Sequence, residues 1–329
     1  MFAIGKNFHV IHMTDDLQAL DAWYDDVFAV HRFMMPGYLE AEKRDASLVL
    51  VGDFCIEPLA PSFRVEGWDE KPLGRFYQRL GKRWHSIAWY MEEEDGMTEL
   101  YRSLRDAGVR LYGTGGVPQT GDEPTGALFT HPRDTYTQLE FWVGPRRWDA
   151  GPRARVPADQ YVDFHAMPDP RFQPGFDPAW WSNHHPLQIV NASHVTLAVR
   201  DVEKARDLYV KFFGGQLLHE GPVDVLGSRS AFVAVGHDLV VELATPATPD
   251  SVLTADLDRY HESLFAVTFK VRDLDAVRRH LTSKGVGAAV DDGTTLLTDP
   301  ATTHGVVMGF TTWSIPSDPR RDWDSPVGG

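Results

Sequence analysis

Internal repetition is the feature that most constrains how this chain can fold. The segment FHVIHMTDDLQALDAWYDDVF (8–28) parallels SHVTLAVRDVEKARDLYVKFF (193–213). Each opens with a histidine in a strand-like run, places an aspartate seven residues later (Asp16, Asp201) and continues with a helical pattern. Leu17, Leu20 and Tyr24 share one helix face in the first copy, and Val202, Ala205, Leu208, Tyr209 and Phe212 do so in the second. The aspartates suit a helix N-terminus, where a carboxylate accepts from backbone N–H groups that have no partner in the helix. Gly214–Gly215 supply a helix stop. A second pair, HSIAWYMEEEDGMTELYRSLRDAGVRL (85–111) and AVTFKVRDLDAVRRHLTSKGVGA (266–288), repeats strand, acidic start, amphipathic helix and glycine. Further strand-like segments follow each helix. The pattern predicts four β-α-β-β-β units near 8–61, 83–142, 193–246 and 264–311, and an α+β fold.

The four units predict two domains of curved mixed sheet with helices outside. The expected boundaries are 1–145 and 188–315, with a linker at 146–187 and a tail at 316–329. The linker is rich in Pro, Arg, Asp and Trp, so it reads as neither helix nor strand. Its aromatics Phe172, Phe176, Trp180 and Trp181 are expected to pack on a domain surface. A chain of 329 residues has room for two such cores. With 32 basic against 47 acidic residues the formal charge is −15, which disfavours nucleic acid and anionic membrane as partners. There is one cysteine, Cys55, so no intrachain disulfide can form. The start lacks the pattern of a secretory signal and no apolar run reaches membrane-span length. The expectation is a cytoplasmic protein acting on a small molecule.

Polar residues stand where apolar strands have no use for them. Glu57 (FCIEPLAP), Glu140 (TQLEFWVG) and Glu242 (LVVELATP) lie in buried-type strands. His9, His85 and His194 stand at strand starts. A buried carboxylate is costly unless paired or bound to a metal. A lone buried histidine is more often a hydrogen-bonded core residue, but histidines and glutamates at equivalent places of a repeated unit argue for a shared purpose. Neutral imidazole and carboxylate together suit a divalent transition metal. The first half offers His9, Glu57, His85 and Glu140. The matching positions of the second are His194, Glu242, Ala266 and Gly309, too few donors for a site of its own. His12 is three residues from His9 and points to the opposite strand face. His184–His185 form a weaker alternative in the linker.

Repeated β-α-β-β-β units with His on the first strand and Glu on the last resemble the vicinal oxygen chelate superfamily. That superfamily includes glyoxalase I, methylmalonyl-CoA epimerase, fosfomycin-resistance proteins and extradiol dioxygenases. The resemblance covers all four units, and His-x(6)-Asp followed by an aromatic-bearing helix is its most specific motif. It implies metal ligands at His9, His85 and Glu140, with Glu57 where glyoxalase I and the epimerase carry a further Glu or Gln ligand. The four-unit length is similar to the extradiol dioxygenases. Those keep the metal in the second pair of units, use a tyrosine where this chain has Thr130, and have a catalytic histidine near the place of Glu57. An arrangement pairing the first unit with the fourth would instead gather His194, Glu242, His85 and Glu140. The short connection within each half favours pairing within halves.

The resemblance implies a divalent metal (Fe, Mn, Ni, Co or Zn) that polarises a substrate bound through adjacent oxygens. Glu57 is the expected proton shuttle. This predicts a lyase or isomerase working by proton transfer, with an Fe(II) ring-cleaving dioxygenase and a non-catalytic binding or resistance protein as the alternatives. Trp84, Trp89, Thr130, Tyr136 and Phe141 flank the ligand strands as candidate pocket walls for a substrate with an aromatic body. The half-degenerate second domain can replace a partner subunit, and a homodimer is also compatible with the sequence.

Overall fold

The computed structural model describes residues 4–143, 169–172 and 176–320. The first half runs β1 (Ile4–Met13), α1 (Leu17–Phe28), β2 (His31–Leu39), β3 (Arg44–Val51) and β4 (Phe54–Pro61). A bridging helix α2 (Pro72–Leu80) follows, then β5 (Arg83–Met91), α3 (Glu94–Asp106), β6 (Leu111–Gly113), β7 (Val117–Pro118), β8 (Leu128–Thr130), α4 (Pro132–Thr135) and β9 (Gln138–Val143). A short helix, α5 (Ala179–His184), precedes the second half. That half runs β10 (Ile189–Ala198), α6 (Val202–Phe213), β11 (Gln216–Val223), β12 (Ser228–Val235), β13 (Leu239–Pro246), α7 (Val252–Tyr260), β14 (Ser263–Val271), α8 (Leu274–Ser283), β15 (Ala288–Asp291), β16 (Thr295–Thr298) and β17 (Val307–Thr311).

The strands form two mixed sheets, ordered β2-β3-β4-β1-β5-β9-β8-β6-β7 and β11-β12-β13-β10-β14-β17-β16-β15. Units therefore pair within each half, and the arrangement joining His194 and Glu242 to His85 and Glu140 is excluded. Antiparallel seams join the units, β1 to β5 and β10 to β14. Each first strand runs parallel to the last strand of its own unit. The aspartate caps form as the repeat implies: Asp16 accepts from the Ala19 N–H at 2.9 Å and Asp201 from the Lys204 N–H at 2.9 Å.

Each sheet has a helix face and a cleft face. The helix faces of both sheets look toward each other and share one core. In it Phe28 lies 6.2 Å from Phe269 and 6.4 Å from Phe310, and Phe141 lies 5.9 Å from Phe213, centroid to centroid. Burying each such ring contributes about 1.5–3 kcal/mol. Polar contacts seal the same interface: the Trp84 indole donates to the Val307 carbonyl at 2.9 Å, and Lys6 pairs with Asp238 at 2.9 Å.

Several expectations change here. Helix α5 lies within the span read as linker, and the Trp181 indole is buried, donating to the Phe28 carbonyl at 2.9 Å. Phe172 is also fully buried, against Tyr90. Most of the rest of the linker, and the end of the tail, lie outside the described residues. Among the described residues no helix is long and apolar enough to cross a membrane.

Candidate metal centre

The cleft face of the first sheet gathers four strands at one level. Ile11 on β1 pairs with Glu57 on β4, Val10 with Ile87 on β5, and Ala88 with Glu140 on β9. Strand alternation sends Val10, Ile56, Ile87, Leu139 and Phe141 to the helix-side core. It leaves His9, Glu57 and Glu140 on the other side, and the register slip of β1 against β5 between Val10 and His12 brings His85 there too, although it stands two residues from Ile87; all four are nearly fully buried. A register slip of β1 against β5 between Asn7 and Val10 marks a bulge beside His9. Bulges re-aim side chains and recur next to functional sites.

The His9 Nε2 lies 3.2 Å from Glu57 Oε2 and 3.6 Å from Glu140 Oε2. These are ion-pair distances without hydrogen-bond alignment, since both His9 nitrogens, Glu57 Oε2 and His85 Nδ1 are buried with no hydrogen-bond partner. Burial opposes a charge on His9, but the Glu57 and Glu140 carboxylates outweigh it and hold the ring's pKa above the ordinary histidine value. Burial, with the charges of His9 and Arg44 behind it, pushes His85 down to about 3, so its ring is neutral. The Phe76 ring covers it edge-on at 4.4 Å. The Trp142 indole donates to Glu140 Oε1.

Sequence reasoning missed Arg44. Its Nη1 lies 2.7 Å from Glu57 Oε1 and its Nε donates to Glu42 Oε2 at 2.6 Å. Burial works against the guanidinium charge, and Glu57 and Glu42 more than restore it. The signal was available: Arg44 shares a strand face with Ala46 and Leu48, which pack in the clusters on the cleft side. Even with Arg44, three carboxylates (Glu42, Glu57, Glu140) face one fixed cation.

As they stand, no three His, Cys, Asp or Glu side chains among the described residues are arranged to hold a metal ion. The His9 ring itself lies between the two carboxylates. The donor chemistry nevertheless fits a divalent transition ion: two imidazoles and two carboxylates, excess negative charge, and orphaned buried atoms on His9, Glu57 and His85.

The other candidates lie elsewhere. His194 and Glu242 face the second sheet's own cleft, 3.3 Å apart, with the Thr196 hydroxyl donating to Glu242 Oε2 at 2.6 Å. By strand register the counterpart of His85 is Phe265, one residue from the Ala266 of the sequence alignment, and that of Glu140 is Gly309. Trp84, Trp89, Tyr136 and Phe141 are not pocket walls: all four belong to the helix-side core, Trp84 and Phe141 because each alternates with an adjacent donor and Trp89 because the register slip between Val10 and His12 lies between it and His85. The Thr130 hydroxyl is spent on Thr135 at 2.6 Å and the Leu139 N–H at 3.0 Å. His12 faces the domain interface, its Nδ1 2.8 Å from the Tyr24 hydroxyl. His185 packs near His280, at 5.2 Å between centroids. The walls around the donors are Ile11, Met13 and Leu59, with Met34, Phe76 and Tyr77 packed against them.

Comparison with known proteins agrees with this architecture. Residues 193–295 match the model of the Glyoxalase/Bleomycin resistance protein/Dioxygenase superfamily. A mutant 4-hydroxymandelate synthase from Streptomyces coelicolor superposes with a TM-score of 0.63 over 96% of this chain and 95% of its own, at 11% identity. Methylmalonyl-CoA epimerase from Mycobacterium tuberculosis is 29% identical over 37% of this chain and 87% of its own, with a TM-score of 0.34. No curated protein sequence matches the chain. Residues 193–295 thus carry the match to the glyoxalase/bleomycin resistance/dioxygenase superfamily, and the chain over nearly its whole length shares the fold of the 4-hydroxymandelate synthase structure.

Proposed function

We propose that this protein is a metal-dependent enzyme of small-molecule metabolism, a lyase or isomerase that moves a proton next to a carbonyl. The observation that carries this reading is the placement of His9 3.2 Å from Glu57 and 3.6 Å from Glu140, beside His85, with both His9 nitrogens, Glu57 Oε2 and His85 Nδ1 buried without hydrogen-bond partners. His9, His85 and Glu140 would hold a divalent cation, with Glu57 next to it. Such a cation, when bound, supplies Lewis-acid stabilisation to a developing oxyanion.

The chain's own residues do the rest. Arg44 pins Glu57 through Oε1, so Oε2 faces the cleft as the atom that takes and returns the proton. Trp142 fixes Glu140 by its other oxygen. Ile11, Met13, Leu59 and Phe76 exclude water, and a low local dielectric strengthens each charge interaction within. The substrate class that fits is a small molecule with adjacent oxygens and an apolar body.

One observation favours a second reading. With Glu57 engaged by Arg44, the remaining set is two histidines and one carboxylate, which suits Fe(II) and oxygen chemistry. Metal analysis of protein purified without added metal separates the two. Iron together with oxygen uptake supports the dioxygenase. Nickel, zinc, cobalt or manganese, with solvent deuterium entering product and no oxygen uptake, supports proton transfer. A Glu140→Gln protein that keeps stoichiometric metal sinks both.

A further inference from the structure

The tripeptide Asp-Pro-Arg occurs at 169–171 and again at 318–320, once after each sheet. Both copies fold alike. Asp169 Oδ1 accepts from the Arg171 backbone N–H at 3.0 Å and from its Nε at 3.0 Å. Asp318 Oδ1 accepts from Arg320 in the same way, at 2.9 and 3.0 Å. The aspartate thus aims the guanidinium, and the arginine arms end on strand and turn carbonyls. Arg171 donates to Phe8 O at 2.9 Å and Asp53 O at 3.4 Å. Arg320 donates to Ser193 O at 2.6 Å, Ala192 O at 3.0 Å and Asp238 O at 2.7 Å. Phe8 and Ser193 are equivalent by register, each just before a first-strand histidine. Both lie where the first strand slips against its seam partner, between Asn7 and Val10 and between Ala192 and His194. A bulge leaves a backbone group without its ladder partner, and a buried one needs another.

In the first half the clasp reaches three donor strands. Arg171 holds β1 at the residue before His9 and the turn leading into β4, which carries Glu57. Asp169 Oδ2 accepts from the Tyr90 hydroxyl on β5 at 3.3 Å, and β5 carries His85. Phe172 and Phe8 pack on the same Tyr90 ring, at 5.8 and 4.5 Å.

We propose that the Asp169–Arg171 clasp closes the floor of the first cleft and sets His9 and Glu57 in place, with Arg171 as a positioning residue. Its twin, Arg320, holds a cleft without a full donor set and so has structural work only. The link to metal binding rests on the reading of His9, Glu57, His85 and Glu140 as the metal's donors.

Cys55 provides an independent reporter. It is the chain's one cysteine, is buried, stands two residues before Glu57 and packs with Phe8, Leu48 and Leu50. The test uses the full chain as wild type, Arg171→Ala, Arg171→Lys and Arg320→Ala. Three readouts are thermal melting, the rate of Cys55 modification by DTNB, and cobalt(II) titration by calorimetry. Both alanine variants are expected to melt lower. Only Arg171→Ala is expected to expose Cys55, reacting about tenfold faster through local opening. Only that variant is expected to bind cobalt(II) about tenfold more weakly, as loss of supporting contacts around ligands does. Arg171→Lys keeps a charge beside Asp169 but not the forked reach to two carbonyls, so it gives the same pattern more mildly if the alanine variant does not fold. Equal behaviour of the Arg171 and Arg320 variants in Cys55 rate and cobalt affinity overturns the proposal. Wild-type protein that binds no cobalt(II) overturns the metal reading instead, and the Cys55 rates still decide whether the clasp closes the cleft.

Discussion

The two clefts are built on the same strands in the same register, yet nearly every residue that faces inward differs. Where the first has Arg44, the second has Ser228; where the first has Ile11, the second has Thr196. His85 answers to Phe265, and the pair Ala88–Glu140 answers to Thr268–Gly309. Each cleft keeps one buried His–Glu pair and engages its glutamate differently. Arg44 takes Glu57 by Oε1 and leaves Oε2 facing His9. Thr196 takes Glu242 by Oε2, the same oxygen that His194 approaches. Among the described residues, every buried side-chain polar atom without a hydrogen-bond partner lies in the first half except Glu242 Oε1. Unsatisfied buried polar groups cost stability, so their concentration in one half, on His9, Glu57 and His85 among others, accords with the proposal that this half holds the site. In the other, Glu242 Oε1 alone is left in that state among the described residues.

The sharpest way to break this contrast is to measure metal binding. His85→Ala is expected to weaken cobalt(II) binding more than about 100-fold, beyond the usual cost of a supporting contact. His194→Ala and Glu242→Gln should leave the calorimetric isotherm unchanged. Equal losses from both clefts would make the halves equivalent. Next is the proton shuttle. Glu57→Gln is expected to lower turnover by about 10²–10⁴-fold with metal content retained, and Glu242→Gln to leave it unaltered.

Acid should also distinguish the halves. Burial pushes His12 down to about 3, whereas its counterpart is Leu197. A histidine neutral in the fold binds its proton only after unfolding. Its contribution is therefore complete above the unfolded value near 6.5 and is lost as pH falls from there toward about 3. The slope is about 1.4 kcal/mol per pH unit. Urea unfolding at pH 7 and pH 5 should show a shallower loss in His12→Leu than in wild type, although that variant starts less stable. The smallest effect concerns Gly309, where an added Cβ would stand 2.4 Å from Thr268 Oγ1. Gly309→Ala is expected to cost about 1–3 kcal/mol, and Thr268→Ala in the same chain to recover most of it. Absence of recovery would show that the Ala88–Glu140 and Thr268–Gly309 pairs are not a packing exchange.

The repeat was enough to read the fold. The capping aspartates, the helix faces and the pairing of units within halves all follow from local pattern and short connections. The donor quartet was legible because a charge in an apolar strand is costly wherever the strand ends up. Other features were hidden because they depend on which face meets which element. Trp84, Trp89 and Phe141 look like pocket walls until the helix faces of two sheets are known to share one core. Arg44 is an ordinary polar strand start until its guanidinium reaches along the neighbouring strand to Glu57, four residues from its register partner Pro61. The one-residue offset between Ala266 and Phe265 passes unseen in an alignment of apolar strands. The second Asp-Pro-Arg was visible as text, but a tripeptide has no weight until both copies reach equivalent carbonyls.

The shared core also has a consequence for the order of events during synthesis. The Trp84 indole ends on the Val307 carbonyl, His12 on the carbonyl of His304 at 3.2 Å, and Lys6 on Asp238. The half that carries the donors leaves the ribosome first, yet Lys6 has no such partner until residue 238 has emerged, and Trp84 and His12 Nε2 have none until residues past 300 have. At about 5–20 residues per second that is a delay of roughly ten seconds or more, with an apolar helix face exposed throughout. The nascent first half is thus a client for whatever shields apolar surface in the cell. Slowed translation of the second half should lower the yield of folded protein more than slowed translation of the first.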